Sequence, residues 1–413
     1  MHTTTWSPLK KISFLFLFCY VFLYANFSQF IWTDYIAPLL HKVVPWFASL
    51  IGFKEVAHIK MTGSGDTTFD YFMVLFFICF SIVLAPIIYL IGKNINYTKS
   101  TQWLLIIIRY FLAYNMIIYG FAKLFCLQFS SISEYALDNT YGNGSPMGLL
   151  WNFMGYSQGY TMFTGFLEFI AGLFLFSRRT QTLGALTTFG VMLNVFMLNM
   201  CYDVPVKLLS GHIVLLSLIL ITFDGSRIWN FFFGNRGTSP QSIPDVIPEK
   251  YQKIKTILKW TVLLGFLGYS TYSSMESYKT YGPKAKKPKL AGAYKVNSFK
   301  VFQDGKEVNP VPYSKKWEAA YKIYQGSFIV KLKDGAKGYA CELDTTEQIL
   351  NLKNWGDSIY QKIHYSHLPE KGLYLQGHLY EDSIDVVLTF KSREDFPLLK
   401  REFHWIQEYP YNR

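Results

Sequence analysis

Apolar residues run in long blocks through the first two-thirds of the chain and alternate with polar ones in the last third. A membrane-crossing helix needs about 20 apolar residues. Seven blocks approach or meet that need: Ile12–Trp32, Phe69–Ile91, Trp103–Leu127, Tyr160–Ser177, Thr180–Met200, Val206–Phe223 and Ile257–Ser274. The first follows Lys10 and Lys11, as a secretory signal would. Its apolar run is too long for a signal core and lacks an obvious small-residue cleavage site, so it reads as a retained helix. Tyr35–Phe53 is apolar too, but Pro38, His41, Lys42 and Pro45 make it a costly span. It reads as an interfacial or re-entrant piece, lying on the membrane or folding over the outer cavity as a lid.

Past Ser274 the pattern changes. Met275–Leu290 is a Lys- and Pro-bearing linker, and from about residue 291 the period is two. Ile384, Val386, Leu388 and Phe390 fall on one face of a strand, with Asp385, Thr389 and Lys391 on the other. Gly372–Tyr380 reads as its neighbour, and Asp304-Gly305 and Asp334-Gly335 are hairpin signals. Trp317–Tyr324 and Thr345–Leu352 read as short helices, and the alternating Phe403–Ile406 as a last strand. The expectation is an α-helical polytopic membrane protein of about seven spans plus a C-terminal β-rich soluble domain, a small sandwich or barrel. Its parts are a two-span region (1–102), a four-helix core (103–223), a cytoplasmic loop (224–255), a seventh span with linker (256–282) and the β domain (283–413).

Composition agrees: 51% of residues are hydrophobic and 16% charged, against about 25% charged in soluble domains. Disorder and a disulfide miniprotein are excluded. The net charge is +12, and its placement sets an orientation. With the N-terminus inside, the inner segments hold eleven Lys and Arg, among them Lys93, Lys99, Arg178, Arg179 and Arg227. The outer loops hold only Lys42, Lys54, Lys60 and Lys207, with Lys123 near a helix end. That bias follows the positive-inside rule. It places the chain in a bacterial inner membrane with its β domain in the periplasm. The basic charge therefore marks topology, and no nucleic-acid-binding pattern accompanies it.

Charged and polar groups inside spans are expensive and so mark candidate sites. The third block carries Arg109, Tyr119 and Lys123, the fourth Glu168, the fifth Asn194 and Asn199; His212 lies in the sixth, just after Asp203. The outer-half members could converge on one cavity, with Glu168 paired to Lys123 or Arg109; equally, such groups can simply join helices.

The segments RYFLAYNMIIYGFAKL, with Arg109, Tyr119, Gly120 and Lys123, and GFLEFIAGLFLFSRRTQTLGAL, with Glu168, Gly172 and Gly184, resemble the DoxX-like (DoxD-like) membrane proteins over residues 103–223. Gly120–Leu124 is also similar to the membrane part of vitamin K-dependent carboxylase-like proteins, and Phe403–Arg413 to the tail of DoxX-like proteins with a fused domain. The N-terminal spans, the seventh span and the β domain depart from the minimal family. The resemblance implies a link with membrane redox assemblies that handle quinones or sulfur compounds.

No complete catalytic motif is present. One His within the spans does not make a two-His haem site, and His364 and His367 lack further metal ligands. Cys126 and Cys201 lie near outer span ends, where a disulfide and two free thiols are both open readings. Three functions follow: a redox-assembly subunit binding a quinone or other apolar ligand in an outer-leaflet cavity, a noncatalytic scaffold whose β domain recruits an envelope partner, and a transporter or lipid-handling protein. All three share the lipid bilayer as a partner.

Overall fold

The computed structural model describes residues 6–28, 33–58, 63–237, 247–322, 326–401 and 403–412. The chain divides into two units, Met1–Phe129 with Ser157–Gly282, and Ser130–Tyr156 with Pro283–Arg413.

The first unit is helical: α1 Pro8–Phe27, α2 Thr33–Leu50, α3 Thr68–Ile91 and α4 Tyr97–Leu124 precede the break. After α5 Glu134–Asp138 and α6 Pro146–Tyr156, which belong to the second unit, come α7 Gln158–Phe176, α8 Gln181–Cys201, α9 Lys207–Phe223, α10 Gly225–Phe232 and α11 Gln252–Tyr281. Every apolar block of the sequence lies largely or wholly on one of these helices; residues 29–32 of the first block lie outside the described residues. Among the described residues, five helices, α1, α3, α4, α7 and α8, are long and apolar enough to cross a membrane, or six if α9 and α10, bent by 73°, count as one broken span. The seventh block sits on the 30-residue α11. Local signals start the helices. Ser7 caps α1, Thr67 and Asp70 form a capping box on α3, and Asn96 caps α4.

Helix α4 is the centre of this unit. Leu104, Ile108, Phe111, Leu112 and Ile117 are fully buried on it. Its tightest neighbour is α7, and glycines permit the approach. A Cβ on Gly165 would lie 2.6 Å from the Lys123 Cβ, and one on Gly172 would lie 2.7 Å from Ile117 Cγ1. Small residues bring helices close in this way where lipid gives no hydrophobic drive. Leu40, Val44 and Ala48 of α2, four residues apart, are buried in one cluster with Phe69 and Phe77 of α3. Its Tyr35, Leu39 and Trp46 stay exposed, and α2 is not among the helices apolar enough to cross.

The second unit contains a closed β-barrel. Its strands are β1 Gly292–Gln303, β2 Lys306–Glu307, β3 Trp317–Lys322, β4 Gly326–Leu332, β5 Gly335–Asp344, β6 Ile349–Asn354, β7 Gln361–His367, β8 Leu373–Leu379 and β9 Asp382–Lys391, followed by a short helix, α12 Pro397–Lys400. Strands β1 and β3 to β9 run as an antiparallel meander, and β9 pairs back onto β1 from Ala293↔Lys391 to Phe302↔Ser383. Closure leaves no open edge. Of the two shapes open from the sequence, the barrel is the one formed. Ile384, Val386 and Leu388 point inward as the alternation requires, beside Val330, Leu352 and Ile363. Asp304 and Gly305 both have positive φ and close the β1–β2 hairpin, as the Asp-Gly signal predicts.

Three expectations fail. Trp317–Lys322 is strand β3, paired on both sides, with residues 323–324 outside the described set. Residues 345–348 are a turn, and Ile349–Asn354 is strand β6. Both stretches are short apolar runs that periodicity cannot divide between helix and strand, and ladder pairing on each edge decides them. Phe403–Ile406 is not a strand; the closed β1–β9 pairing offers no edge for one.

Strand β3 is buried on both faces because residues 130–156 belong to this unit. Ala293, Ala319 and Tyr321 on the outer wall pack with Phe396, Tyr135 and Leu137. Asp138 fixes the segment: it accepts from Tyr321 Oη at 2.6 Å and Lys391 Nζ at 2.7 Å, and its carbonyl accepts from Lys331 Nζ. Arg393 bonds Glu134 at 3.1 Å.

Candidate functional site

The polar residues of the helical unit sort into separate neighbourhoods. Lys123 Nζ donates to both carboxylate oxygens of Glu168, at 2.5 and 2.7 Å. Both side chains are buried, and the Tyr119 ring lies 6.0 Å from the same ammonium. This pair sits where Gly120, Gly165 and Gly172 bring α4 and α7 together. Burial makes each charge costly alone, and the two-pronged contact compensates both. The arrangement can hold two helices in register.

Arg109 is not part of it. Fourteen residues at a rise of about 1.5 Å put it roughly 21 Å along α4 from Lys123. There its guanidinium donates to Gln181 Oε1 at 3.2 Å and lies over the Tyr110 ring. A shared helix face therefore does not become a shared site.

His212 forms a third group with residues of α1. Its Nε2 is 2.5 Å from Tyr20 Oη, its Nδ1 is 2.6 Å from the Leu208 carbonyl, and its ring stacks on Tyr24 at 3.8 Å. With Nδ1–H donating to the carbonyl, Nε2 accepts from the tyrosine. Asn199 donates to Ser210 Oγ and the Val206 carbonyl across the α8–α9 turn. Asp203 is exposed, adopts a positive φ and pairs with Lys207. Asn194 is exposed on α8. All five cysteines are free, Cys126 and Cys201 among them.

Sequence reasoning did not find Asp66. Its carboxylate accepts from the Lys207 and Leu208 amides at 2.6 and 2.9 Å, capping α9 from the α2–α3 connection. The only signal was an acidic residue in a Gly-Ser loop, which reads as solvent-facing. Nor did it find Asp138. Burial alone would raise that carboxyl, but the bonds from Lys391 and Tyr321 and the charges of Lys391 and Lys331 hold it below the ordinary carboxylate range.

The barrel has a cavity of about 500 Å³ at one mouth. Phe299, Val301 and Trp317 give it apolar walls. Lys315, Tyr380 and Asp382 line it too, with Lys315 on both oxygens of Asp382 at 2.9 and 2.7 Å. Lys337, Asn354 and Glu381 line it as well, so the mouth is mixed in character, with apolar walls and a polar rim.

These features define a polytopic helical membrane protein that carries a β-barrel domain. The chain belongs to the family of the uncharacterized protein YwoB of Bacillus subtilis (strain 168), to which it is 34% identical over 124 residues, 30% of this chain and 79% of YwoB. No family model matches the chain, and no solved structure matches it.

Proposed function

We propose that this protein is a noncatalytic membrane scaffold, in which a DoxX-like helical core anchors a barrel that receives an envelope partner at its mouth. One observation carries the reading. Residues 130–156, between spans α4 and α7, are part of the barrel unit, so the chain holds the barrel from two places. A domain swinging on a linker has no use for the second hold.

The same insertion supports the topology. Segments 130–156 and 283–413 share one side of the membrane, so the chain crosses an even number of times between them. We read α7, α8 and α9 as three crossings and α11, which carries the seventh apolar block but is not among the helices apolar enough to cross by composition, as the fourth. With basic residues inside, the proposed topology has the barrel outside a bacterial cytoplasmic membrane, and the charge bias supports that reading.

A redox subunit is the second reading. The hydrogen-bonded and stacked Tyr20–His212–Tyr24 group favours it, since imidazole beside phenol suits proton handling next to a quinone. The scaffold is preferred because Lys123 and Glu168 satisfy each other instead of joining that group.

A photoreactive side chain placed at Tyr380 in the full-length protein, in native membranes, tests the proposal. The scaffold reading expects one discrete crosslinked partner, competed away when the Lys315–Asp382 pair is removed and unaffected by Glu168→Gln. Quinone copurifying with the chain, with Glu168→Gln abolishing a redox activity and no crosslink formed, would overturn it.

A further inference from the structure

A second cavity, of about 630 Å³, lies within the helical unit at the end of α4 opposite Lys123, between α4, the α7–α8 turn, the α9–α10 bend and α11. Its charge is one-sided. Arg109, Arg178, Arg179, Arg227, Lys255 and Lys259 line it, and Asp224 is the single carboxylate among the described lining residues. That carboxylate is already engaged, by the Thr182 hydroxyl and by Arg227 Nη1 at 3.0 Å. Like charges gathered around one space repel one another, and an anion held among them relieves that repulsion.

A second, independent observation points into the same space. Gln102 lines the cavity at 5% exposure, and its Oε1 has no hydrogen-bond partner. A buried carbonyl oxygen without a partner costs free energy. Which end of a carboxamide is oxygen is fixed only by its partners, so a turned Gln102 presents an N–H₂ donor to an anion.

The surroundings set the depth. Trp103 and Trp260 line the cavity. The α9–α10 bend beside it turns Trp229, Phe231 and Phe232 outward on α10. Tryptophan and phenylalanine exposed at a helix bend are characteristic of the headgroup level, where basic pockets between helices hold phosphate groups.

We propose that this cavity is a binding site for a phosphate-bearing anion, with Arg227, Lys259 and the Gln102 amide as its contacts. The inference stands apart from the scaffold reading, since it uses no residue of the barrel. The anion has two sources, the headgroup of an acidic phospholipid or free phosphate.

The test uses the purified full chain. In one arm it is reconstituted with phosphatidylglycerol or phosphatidylcholine and the retained lipid is counted by native mass spectrometry. In the other, inorganic phosphate is titrated and thermal unfolding followed. Phosphatidylglycerol retained over phosphatidylcholine assigns a headgroup; a phosphate-dependent rise in melting temperature assigns the free anion. Either signal should fall roughly fivefold in Lys259→Gln and recover in Lys259→Arg. Lys93→Gln and Lys99→Gln, outside the cavity, should leave it unchanged. Gln102→Leu, which keeps every charge, should also weaken it. Neither signal in the wild type overturns the proposal, as does a signal lost equally in the Lys93 and Lys99 variants.

Discussion

Lys123 and Glu168 meet ammonium to carboxylate at 2.5 Å, on helices pressed together by glycines. Removing one partner leaves the other charge buried. Glu168→Gln or Lys123→Met should each cost about 3–5 kcal/mol, and the double variant less than their sum. Thermal or denaturant unfolding in detergent, arranged as a double-mutant cycle, measures the coupling. Additive losses would show that the pair does not join α4 to α7.

The glycines at the same contact make a sharper steric prediction. Gly165→Ala puts a methyl against Lys123 Cβ and the Gly120 carbonyl and should destabilise by about 1–3 kcal/mol. Gly190→Ala, on α8 with nothing within 4 Å, should be neutral or slightly stabilising. Comparing the two melting temperatures separates packing from helix propensity.

Tyr20→Phe deletes the hydroxyl bonded to His212 but keeps the ring. A structural role predicts a loss of about 0.5–1.5 kcal/mol in stability. Tyr24→Leu, which removes the stack as well, should cost more. Unfolding of both variants in one detergent gives the comparison.

Asp138 gives a pH signature. Its carboxyl titrates lower in the folded chain than in the unfolded one. Its contribution is therefore complete above the unfolded carboxylate value and is lost as pH falls through the depressed folded value. Hydrogen-exchange protection across residues 130–156, taken relative to the intrinsic rate at each pH, should fall under acid, and Asp138→Asn should lower it already at neutral pH. Protection unaltered by pH and by the substitution would refute the clasp.

The helices were legible because a span demands a long apolar block, and such blocks are hard to mistake. The β9 alternation of Ile384, Val386 and Leu388 was legible for the same reason, since period two with one wet face is a direct imprint of a strand. Trp317–Lys322 was not, because its outer face is dry too and alternation disappears. The candidate polar residues could be found one at a time but not partnered. Lys123 and Glu168 are 45 residues apart and His212 and Tyr20 are 192 apart. Packing decides such meetings, and one sequence carries little trace of it. Nothing in the sequence marked the inserted segment as part of the barrel unit, since its apolar anchors Tyr135 and Leu137 are too few to form a pattern.

The hold of Asp138 on Lys391 also has a consequence in time. The two residues are 253 positions apart. At ribosomal speeds of about 5–20 residues per second, the aspartate leaves the tunnel roughly 10–50 s before its lysine exists. Through that interval the segment's tyrosine and leucine lack the wall that covers them, while α7 to α11 are still being made. The barrel strands that shelter it are made after the described helices of the first unit. Completion of the barrel thus follows the synthesis of those helices, and a chain that left residues 130–156 and the strands on opposite sides of a membrane would have no wall to close over the segment.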